Sequence, residues 1–183
     1  MTKKHIIKDF DLEKVDWEKV KNPSPLFQIF QPTDEKLKEI ATRLMNDYLY
    51  LQDIDRDYDK VWKGIFDLFP PNGTPPRRFD IIYEMGDFDG YLTFNNIVIG
   101  YKSSLSFKLW NPKRWGADLA REGKELIQFI VNEFKLKRLS TESPDERMVK
   151  MSKMVGFKVE GAMKNAFLWD GDLYTLWMMS ITR

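Results

Sequence analysis

The segment LWNPKRWGADLAREGKELIQFI, residues 109–130, decides how this sequence folds. It opens on the apolar end of a strand, continues through a basic turn that contains proline and glycine, and ends in an amphipathic helix. Because the first turn of a helix has unpaired N–H groups and a positive dipole end, this order predicts a phosphate-binding turn. The apolar face of the helix consists of Leu119, Gly123, Leu126, Ile127, Ile130 and Phe134.

Asp118 stands where this helix begins, and its carboxylate has a structural explanation of its own. Aspartate is among the best N-cap residues, worth about 1 kcal/mol over alanine. A capping carboxylate would occupy the amides that a phosphate needs, and would repel the phosphate by about 3 kcal/mol at about 5 Å and an effective dielectric constant of about 20. Lys113 and Arg114 would offset part of that repulsion. We therefore expect a weakened phosphate site, with an intact site as the alternative.

The composition indicates one compact domain without cysteine chemistry. The chain has 183 residues, of which 43% are hydrophobic and 14% aromatic, enough for one substantial core. Lys and Arg number 29 against 28 Asp and Glu, so net charge does not steer the chain towards nucleic acid or an anionic membrane. There is no cysteine, and the only histidine, His5, lies in a charged segment. We expect neither a disulfide nor a metal site.

The opening residues and the apolar runs favour a cytoplasmic protein. The opening segment MTKKHIIKDFDLEKVDW has charges throughout, unlike a signal peptide. No apolar run approaches the roughly 18 residues that a membrane-spanning helix needs. We therefore expect no membrane partner.

The periodicity of the chain predicts the order of its elements. Residues 1–26 end in KNPSP and are interpreted as an N-terminal extension, and residues 27–183 as one domain. Thr33 and Asp34 are the capping candidates of the first long helix. The predicted order is a strand, two helices, three strands, a helix, a strand, a helix and two strands. The segments are LFQIF, QPTDEKLKEIATRLMNDYLYL, DYDKVWKGIFDLF, FDIIYEM, YLTF, LSFKLW, the helix quoted above, KRLSTES, SPDERMVKMSKMVGF and the hairpin AFLWDGDLYTLWMMS.

Local signals place the ends of the last elements. Ser143 is expected to cap a short helix, with Glu146 completing a capping box and Gly156 ending the helix. The pair Asp170-Gly171 suits a two-residue turn between aromatic strands. Since a helical crossover joins them, LSFKLW and KRLSTES run parallel if they share a sheet.

This order of elements, and the residues from about 105 onward, resemble the GNAT acyltransferases, in particular the branch that acetylates the N-termini of ribosomal proteins. LWNPKRWGADLA resembles the strand end, proline and Trp-Gly-x-Gly-x-Ala turn of that family. KMVGFKVEGAMKNAFLWDGDLY resembles its Lys-x-x-Gly-Phe-x-x-Glu-Gly segment and closing hairpin. Upstream of these residues only the order of elements agrees.

The resemblance implies an α/β fold with a mixed, mostly antiparallel sheet, a splayed central pair of parallel strands, and flanking helices. Acetyl-CoA, or another acyl-CoA, would lie between the splayed strands as the co-substrate, with its pyrophosphate on the N–H groups of the turn. Lys113 and Arg121 are further candidates for phosphate contacts, or else part of an ordinary solvated basic turn. The residues implied for the cofactor are Leu109, Trp110, Arg114, Trp115, Gly116, Ala117, Asp118, Leu119, Ala120 and Asp145.

Three regions depart from the family pattern. Asp118 replaces a glycine of the turn, and Asp145 and Met148 replace an asparagine and a serine of the following helix. Thr175 replaces an aspartate of the hairpin. The first two departures lie on the surface where the cofactor is expected, so a protein with a degenerate CoA loop is an open alternative.

The function implied by the resemblance is transfer of an acetyl group from acetyl-CoA to a primary amine, either a protein N-terminus or a small-molecule amine. Glu142 is the preferred general base, Glu84 the other candidate, and Tyr174 a candidate proton donor. The alternative is a GNAT-fold protein that binds a ligand or partner without catalysis. A nucleic-acid module is disfavoured, because the aromatic residues alternate as core strands do. The aromatic hairpin and residues 1–26 are candidate surfaces for a homodimer.

Overall fold

A computed structural model of the chain describes residues 14–31, 33–47, 52, 78–86 and 89–183. The predicted helix DYDKVWKGIFDLF lies outside this part of the chain. None of the described helices is long and apolar enough to cross a bilayer. The elements are α1 (Trp17–Lys21), β1 (Phe27–Ile29), α2 (Asp34–Met45), β2 (Arg78–Met85), β3 (Gly90–Val98), β4 (Lys102–Leu109), α3 (Ala117–Glu133), β5 (Arg138–Ser143), α4 (Glu146–Met154), β6 (Lys158–Trp169) and β7 (Asp172–Thr182).

The seven strands form one sheet in the order β1-β2-β3-β4-β5-β7-β6. Neighbouring strands are antiparallel except β4 and β5, which α3 connects as a parallel pair. Their pairing begins at Lys102 and ends at Ser104 of β4. Beyond that point β4 stays paired with β3 as far as Leu109, and β5 stays paired with β7 as far as Ser143, so the two strands separate. The predicted mixed sheet with a splayed parallel pair is confirmed.

Helices cover both faces of the sheet. On one face, α3 and α4 pack in the main core together with residues of β2, β3, β4 and β5, and the predicted apolar stripe of α3 is buried there. On the other face, α2 buries Leu37, Ile40 and Leu44 in a second cluster with Ile82 of β2 and Tyr91 of β3. Because side chains alternate along a strand, successive residues of β4 and β5 face different helices.

The segment that contains α1 packs on the main body of the protein. The Trp17 ring lies 6.3 Å from that of Phe79 and 5.9 Å from that of Phe134, measured between ring centroids. The hydroxyl of Tyr83 in β2 donates a 2.7 Å hydrogen bond to the carbonyl oxygen of Val20. Burial raises the pKa of Tyr83, so this hydroxyl stays a donor. The α1 segment is therefore attached by aromatic packing and by one buried hydrogen bond.

Most of the predicted caps and turns are where the sequence places them. The Thr33 hydroxyl accepts a hydrogen bond from the first turn of α2, as an N-cap does. Gly156 follows α4 with a φ of 108°, and the hairpin residues Asp170 and Gly171 have φ values of 51° and 79°, as a two-residue turn requires. These three predictions are confirmed.

The predicted cap of α4 is wrong by two residues. Asp145, not Ser143, is the N-cap, and its carboxylate accepts a 2.8 Å hydrogen bond from the Arg147 amide. The Ser143 hydroxyl accepts from the Asp145 amide instead, at 3.1 Å. Desolvation raises the pKa of Asp145, but the side-chain and backbone hydrogen bonds from Arg147 outweigh it, so the pKa lies below its usual range. At this position the ionised carboxylate also interacts favourably with the dipole of α4.

We predict that Tyr83→Phe lowers the free energy of unfolding by about 1–2 kcal/mol, because the buried carbonyl of Val20 loses its donor. Tyr101→Phe is the matched control, since 54% of Tyr101 is exposed. It should change stability by less than about 0.5 kcal/mol. Urea denaturation of both variants measures the difference, and equal losses would show that the Tyr83 hydroxyl contributes nothing specific.

Candidate functional site

A cavity of about 290 Å³ lies where β4 and β5 separate. It opens to both faces of the sheet, because both odd- and even-numbered residues of the two strands line it, and these point to opposite faces. Leu105 and Phe107 of β4 are on the face covered by α3, and Ser106 and Lys108 are on the face covered by α2. In β5, Glu142 shares the face of Lys108. The gap in the sheet therefore connects two compartments of different character.

The compartment towards α3 and α4 is mainly apolar, although Thr141, Ser143 and Ser152 also line it. Leu119 and Ile127 of α3 line it, together with Met151 and Val155. Gly123 also lines it, on the buried side of α3. A methyl group at this glycine would lie 3.9 Å from a Val155 methyl carbon, which is an ordinary contact distance. The compartment is thus a narrow apolar passage between two helices and the sheet.

The compartment on the other face carries the charged side chains of Lys108 and Glu142. The Lys108 ammonium lies 2.9 Å from a carboxylate oxygen of Asp47, and both side chains are largely buried, with exposures of 15% and 17%. The Trp110 indole N–H donates to the same oxygen at 2.9 Å, so Lys108 is held in place from the end of α2. Glu142 lines the cavity and is exposed to solvent. An exposed carboxylate here can accept a proton from a bound molecule.

Asp89 holds the turn between β4 and α3. Its main-chain oxygen accepts hydrogen bonds from the amides of Trp110 at 2.8 Å and Asn111 at 3.1 Å. Its carboxylate accepts from Arg114 Nε at 2.6 Å and from Asn111 Nδ2 at 2.8 Å. These hydrogen bonds, first that of Arg114 and then that of Asn111, hold the pKa of Asp89 below its usual range. The Asn111 side chain also caps a 3-10 turn at Pro112–Arg114.

The first turn of α3 is not capped by a side chain, and the expectation that Asp118 caps it is wrong. The helix begins at Ala117, and the N-cap is Gly116, which has extended backbone and no side chain to offer. Asp118 is already inside the helix, so its carboxylate points outward, 3.0 Å from Arg121 and 82% exposed. In this position Asp118 makes no hydrogen bond to the first amides of the helix. These amides therefore have no side-chain acceptor among the described residues.

The residues predicted for a cofactor fall into two groups. Leu119 and Asp145 line the cavity. The other eight form the end of β4, the turn and the first turn of α3: Leu109, Trp110, Arg114, Trp115, Gly116, Ala117, Asp118 and Ala120. Within this second group, Trp115 packs edge-on against Phe107, with centroids 6.2 Å apart, and so connects the turn to the cavity wall.

The three residues predicted for catalysis lie in different places. Only Glu142 lines the cavity. Glu84 is on β2, paired with Lys36 of α2 at 2.7 Å and 13% exposed. Tyr174 is on β7 and packs against Trp169 with centroids 6.4 Å apart, in a small cluster at the hairpin. Neither Glu84 nor Tyr174 lines the cavity, although Tyr174 packs against Phe167 and Leu176, which do.

Several residues of the candidate site are not among those predicted from the sequence. Ser106, Lys108 and Thr141 could have been found, because two splayed strands expose alternate residues at the gap. No local sequence pattern indicates a role for Asp89, because the residues that it contacts lie more than 20 positions away in the chain. In the described part of the chain, no group of three or more His, Asp or Glu side chains is placed to hold a metal ion.

Comparison with solved structures identifies the fold. RimL, a ribosomal L7/L12 alpha-N-protein acetyltransferase in complex with coenzyme A, matches 87% of this chain over 95% of its own, with a TM-score of 0.63 and 12% identity. The microcin C7 self-immunity acetyltransferase MccE, in complex with acetyl-CoA and AMP, matches 87% of this chain and 94% of its own, with a TM-score of 0.62 and 13% identity. Spermidine N-acetyltransferase from Vibrio cholerae, in complex with CoA and spermine, matches 87% of this chain and 96% of its own, with a TM-score of 0.61 and 14% identity.

At this level of identity the likeness establishes the fold. No protein-family profile matches the sequence, and no curated protein does. The structural neighbours are GNAT acetyltransferases, so the resemblance read from residues 105 onward is confirmed at the level of the fold.

The two aspartates at helix starts give a matched test of the cap assignment. Asp145→Ala should lower the free energy of unfolding by about 1 kcal/mol, because it removes the N-cap of α4. Asp118→Ala should cost at most about 0.5 kcal/mol, because it removes only an exposed ion pair and a dipole interaction. Urea denaturation compares the two, and a larger loss for Asp118→Ala would restore Asp118 as the cap of α3.

Proposed function

We propose that this protein transfers an acetyl group from acetyl-CoA to a primary amine, and that the reaction takes place in the cavity between β4 and β5. The observation that carries the proposal is the gap in the sheet, which joins an apolar passage on one face to a polar compartment with Glu142 on the other. The uncapped first turn of α3 follows the same strand that opens the gap. Structures of this fold that hold CoA or acetyl-CoA support the assignment.

The groups around the gap fit the parts of acetyl-CoA. Leu105–Leu109 of β4 has no β5 partner on its open side, so its backbone can pair with the amides of the pantetheine arm. The apolar passage beside Gly123 and Val155 suits the hydrocarbon part of that arm. The first amides of α3, at Ala117, Asp118 and Leu119, suit the pyrophosphate.

Asp118 opposes this binding less than a capping aspartate would. Its carboxylate is 82% exposed and paired with Arg121, so the interaction with a phosphate runs largely through water. At about 5 Å and a dielectric constant of about 80 the repulsion is about 0.8 kcal/mol, roughly fourfold in affinity. Arg121 offsets part of this, and Asp118 therefore weakens the site without abolishing it.

Glu142 is the residue we assign as general base. When bound, acetyl-CoA would supply an acyl group activated as a thioester. The amine nitrogen would bond to the acyl carbon and give up a proton to Glu142, and the carbon–sulfur bond would break, so that CoA leaves as a thiolate that takes up a proton from solvent. Amines are largely protonated at neutral pH, so a proton acceptor is needed before attack. Glu142 is an exposed carboxylate on the polar side of the gap, where an amine can approach from the face of α2.

The polar compartment sets the direction of approach of the acceptor. Lys108 and Glu142 lie on it, and Phe167 and Leu176 of the terminal hairpin complete its wall. A primary amine, either a protein N-terminus or a small molecule, enters from this face while the acyl donor lies against α3 and α4. Acceptors named for the structural neighbours include a ribosomal protein and spermidine, and both classes should be assayed.

Binding of acetyl-CoA is the first test. At a hundredfold excess over Kd, acetyl-CoA should raise Tm by about 5–10 °C. Adenosine at the same concentration, which lacks pyrophosphate and pantetheine, should leave Tm unchanged. Release of free CoA thiol in the presence of spermidine, or of peptides with a free N-terminus, then measures transfer. If acetyl-CoA does not shift Tm, the GNAT-fold protein is a non-catalytic one with a degenerate CoA loop, as the sequence left open.

Glu142→Gln should lower kcat by about a hundredfold or more, because it removes the proton acceptor while keeping the shape of the side chain. The Kd for acetyl-CoA should be unchanged, since the proton is accepted on the amine side. Glu84→Gln is the matched control: it removes another carboxylate of the sheet, one that is paired with Lys36 outside the cavity. Unchanged kcat in Glu142→Gln would remove this residue as the base.

A further inference from the structure

We propose that Asp89 is a positioning residue for acetyl-CoA: through Arg114 and Asn111, it holds the turn that presents the first amides of α3 to the pyrophosphate. This inference rests on the proposed function, because it assigns a role within the same site. Asp89 lies outside the turn, immediately before β3, and so acts on it from a different part of the chain.

Four hydrogen bonds join Asp89 to the turn. Two are main-chain hydrogen bonds, from the amides of Trp110 and Asn111 to its carbonyl oxygen, and a side-chain substitution leaves these in place. The other two are side-chain hydrogen bonds, from Asn111 at 2.8 Å and from Arg114 at 2.6 Å. The short, charge-assisted contact to Arg114 is the stronger of the two. The carboxylate thus controls both ends of the 3-10 turn that leads to Gly116.

The backbone around Asp89 is shaped for this contact. Gly86 has a φ of 52°, which glycine adopts without strain, and a methyl group there would lie 3.0 Å from Arg114 Nη2. Gly90, the next residue after Asp89, lies against β4 so closely that a methyl group would come within 2.3 Å of the Lys108 carbonyl oxygen. Gly86 thus allows the end of β2 to lie close to Arg114, and Gly90 allows β3 to lie close to the end of β4, with Asp89 between them in the chain.

The carboxylate is placed to act on the turn more than on the core. The Asp89 side chain is 17% exposed, while that of Arg114 is 47% exposed and lies on the surface. Gly116 and Asp118, which follow the turn, are also exposed. The ion pair with Asp89 joins Arg114, the last residue of the 3-10 turn, to the residue before β3, and so bears on where the chain enters α3. A shift of this entry point moves the amides that a pyrophosphate would bind, and affinity is lost as their geometry is lost.

The test uses Asp89→Asn, which keeps the size of the side chain and removes its charge, and two probes, acetyl-CoA and S-acetylpantetheine. S-acetylpantetheine has the arm and thioester but no pyrophosphate. Calorimetry should show acetyl-CoA bound roughly tenfold more weakly, as expected for a lost charge-assisted hydrogen bond. Affinity for S-acetylpantetheine, followed by ligand-observed NMR, should stay within about twofold. A general loss of structure would weaken both probes equally.

Three further variants test whether Asp89 acts through Arg114. If Asp89 works through Arg114, the double variant Asp89→Asn/Arg114→Met should bind acetyl-CoA no more weakly than Arg114→Met alone. Glu160→Gln is the matched control, because it removes the carboxylate of another surface ion pair, with Arg138, and does not line the cavity. Hydrogen bonds from Arg138 and Ser180 lower the pKa of Glu160 to about 2, so this control also removes a well-stabilised carboxylate.

The result that would overturn the proposal is tighter binding of acetyl-CoA by Asp89→Asn, which would mean that Asp89 competes with phosphate for Arg114. Equal losses for the two probes, or no loss, would also overturn it. Amide hydrogen exchange over residues 110–119 gives a readout without ligand, and exchange there should be faster in Asp89→Asn than in Glu160→Gln. If the unmodified protein does not bind acetyl-CoA, the proposed function fails, while the exchange experiment still decides whether Asp89 holds the turn.

Discussion

The separation of β4 from β5 is the constraint on which the rest of this structure depends. The two strands share only the residue pairs from Lys102 to Ser104 of β4. Past that point each keeps its antiparallel partner, β4 with β3 and β5 with β7, and antiparallel ladders are slightly more stable per residue than parallel ones. Two halves of a sheet that are each well paired can diverge without losing hydrogen bonds to any other strand. The open edge that results lies inside the protein, where an edge is protected from aggregation and remains able to bind an extended ligand.

The same separation explains why the two compartments differ in character. Residues of β4 alternate between the faces, so Leu105 and Phe107 extend the apolar core of α3 while Ser106 and Lys108 face α2. In a closed sheet these sets would not meet. In the open sheet both sets border the same cavity. The buried pair of Lys108 and Asp47 fits this arrangement, because an ammonium next to an apolar passage needs a partner.

Much of the fold could be predicted from the sequence, and the errors have a common cause. Periodicity and turn chemistry predicted the strands, the crossover helix and the Asp170-Gly171 turn, all of which depend on residues close together in the chain. The caps of α3 and α4 were each assigned to the wrong residue. Which residue caps a helix depends on where the helix begins. The turn before α3 is held by hydrogen bonds from the amides of Trp110 and Asn111 to the carbonyl oxygen of Asp89, which is distant in the chain. Glu142, predicted from its position near the end of β5, lines the cavity. Lys108 lines it too, but no sequence pattern distinguishes this lysine from the many other charged residues of the chain.

The position of Asp118 is compatible with the proposed phosphate site, although this residue departs from the family pattern. A glycine in such a turn gives conformational freedom and leaves the helix amides uncovered. In this chain Gly116 already leaves them uncovered, since it is the N-cap and has no side chain. Asp118 follows inside the helix, where its backbone is helical and its charge is directed to Arg121. A carboxylate at this point takes no amide and acts on an anion only through solvent, which screens it. If the proposed phosphate site is correct, we expect the geometry of the turn, held by Asp89, to matter more to its affinity than the charge of Asp118.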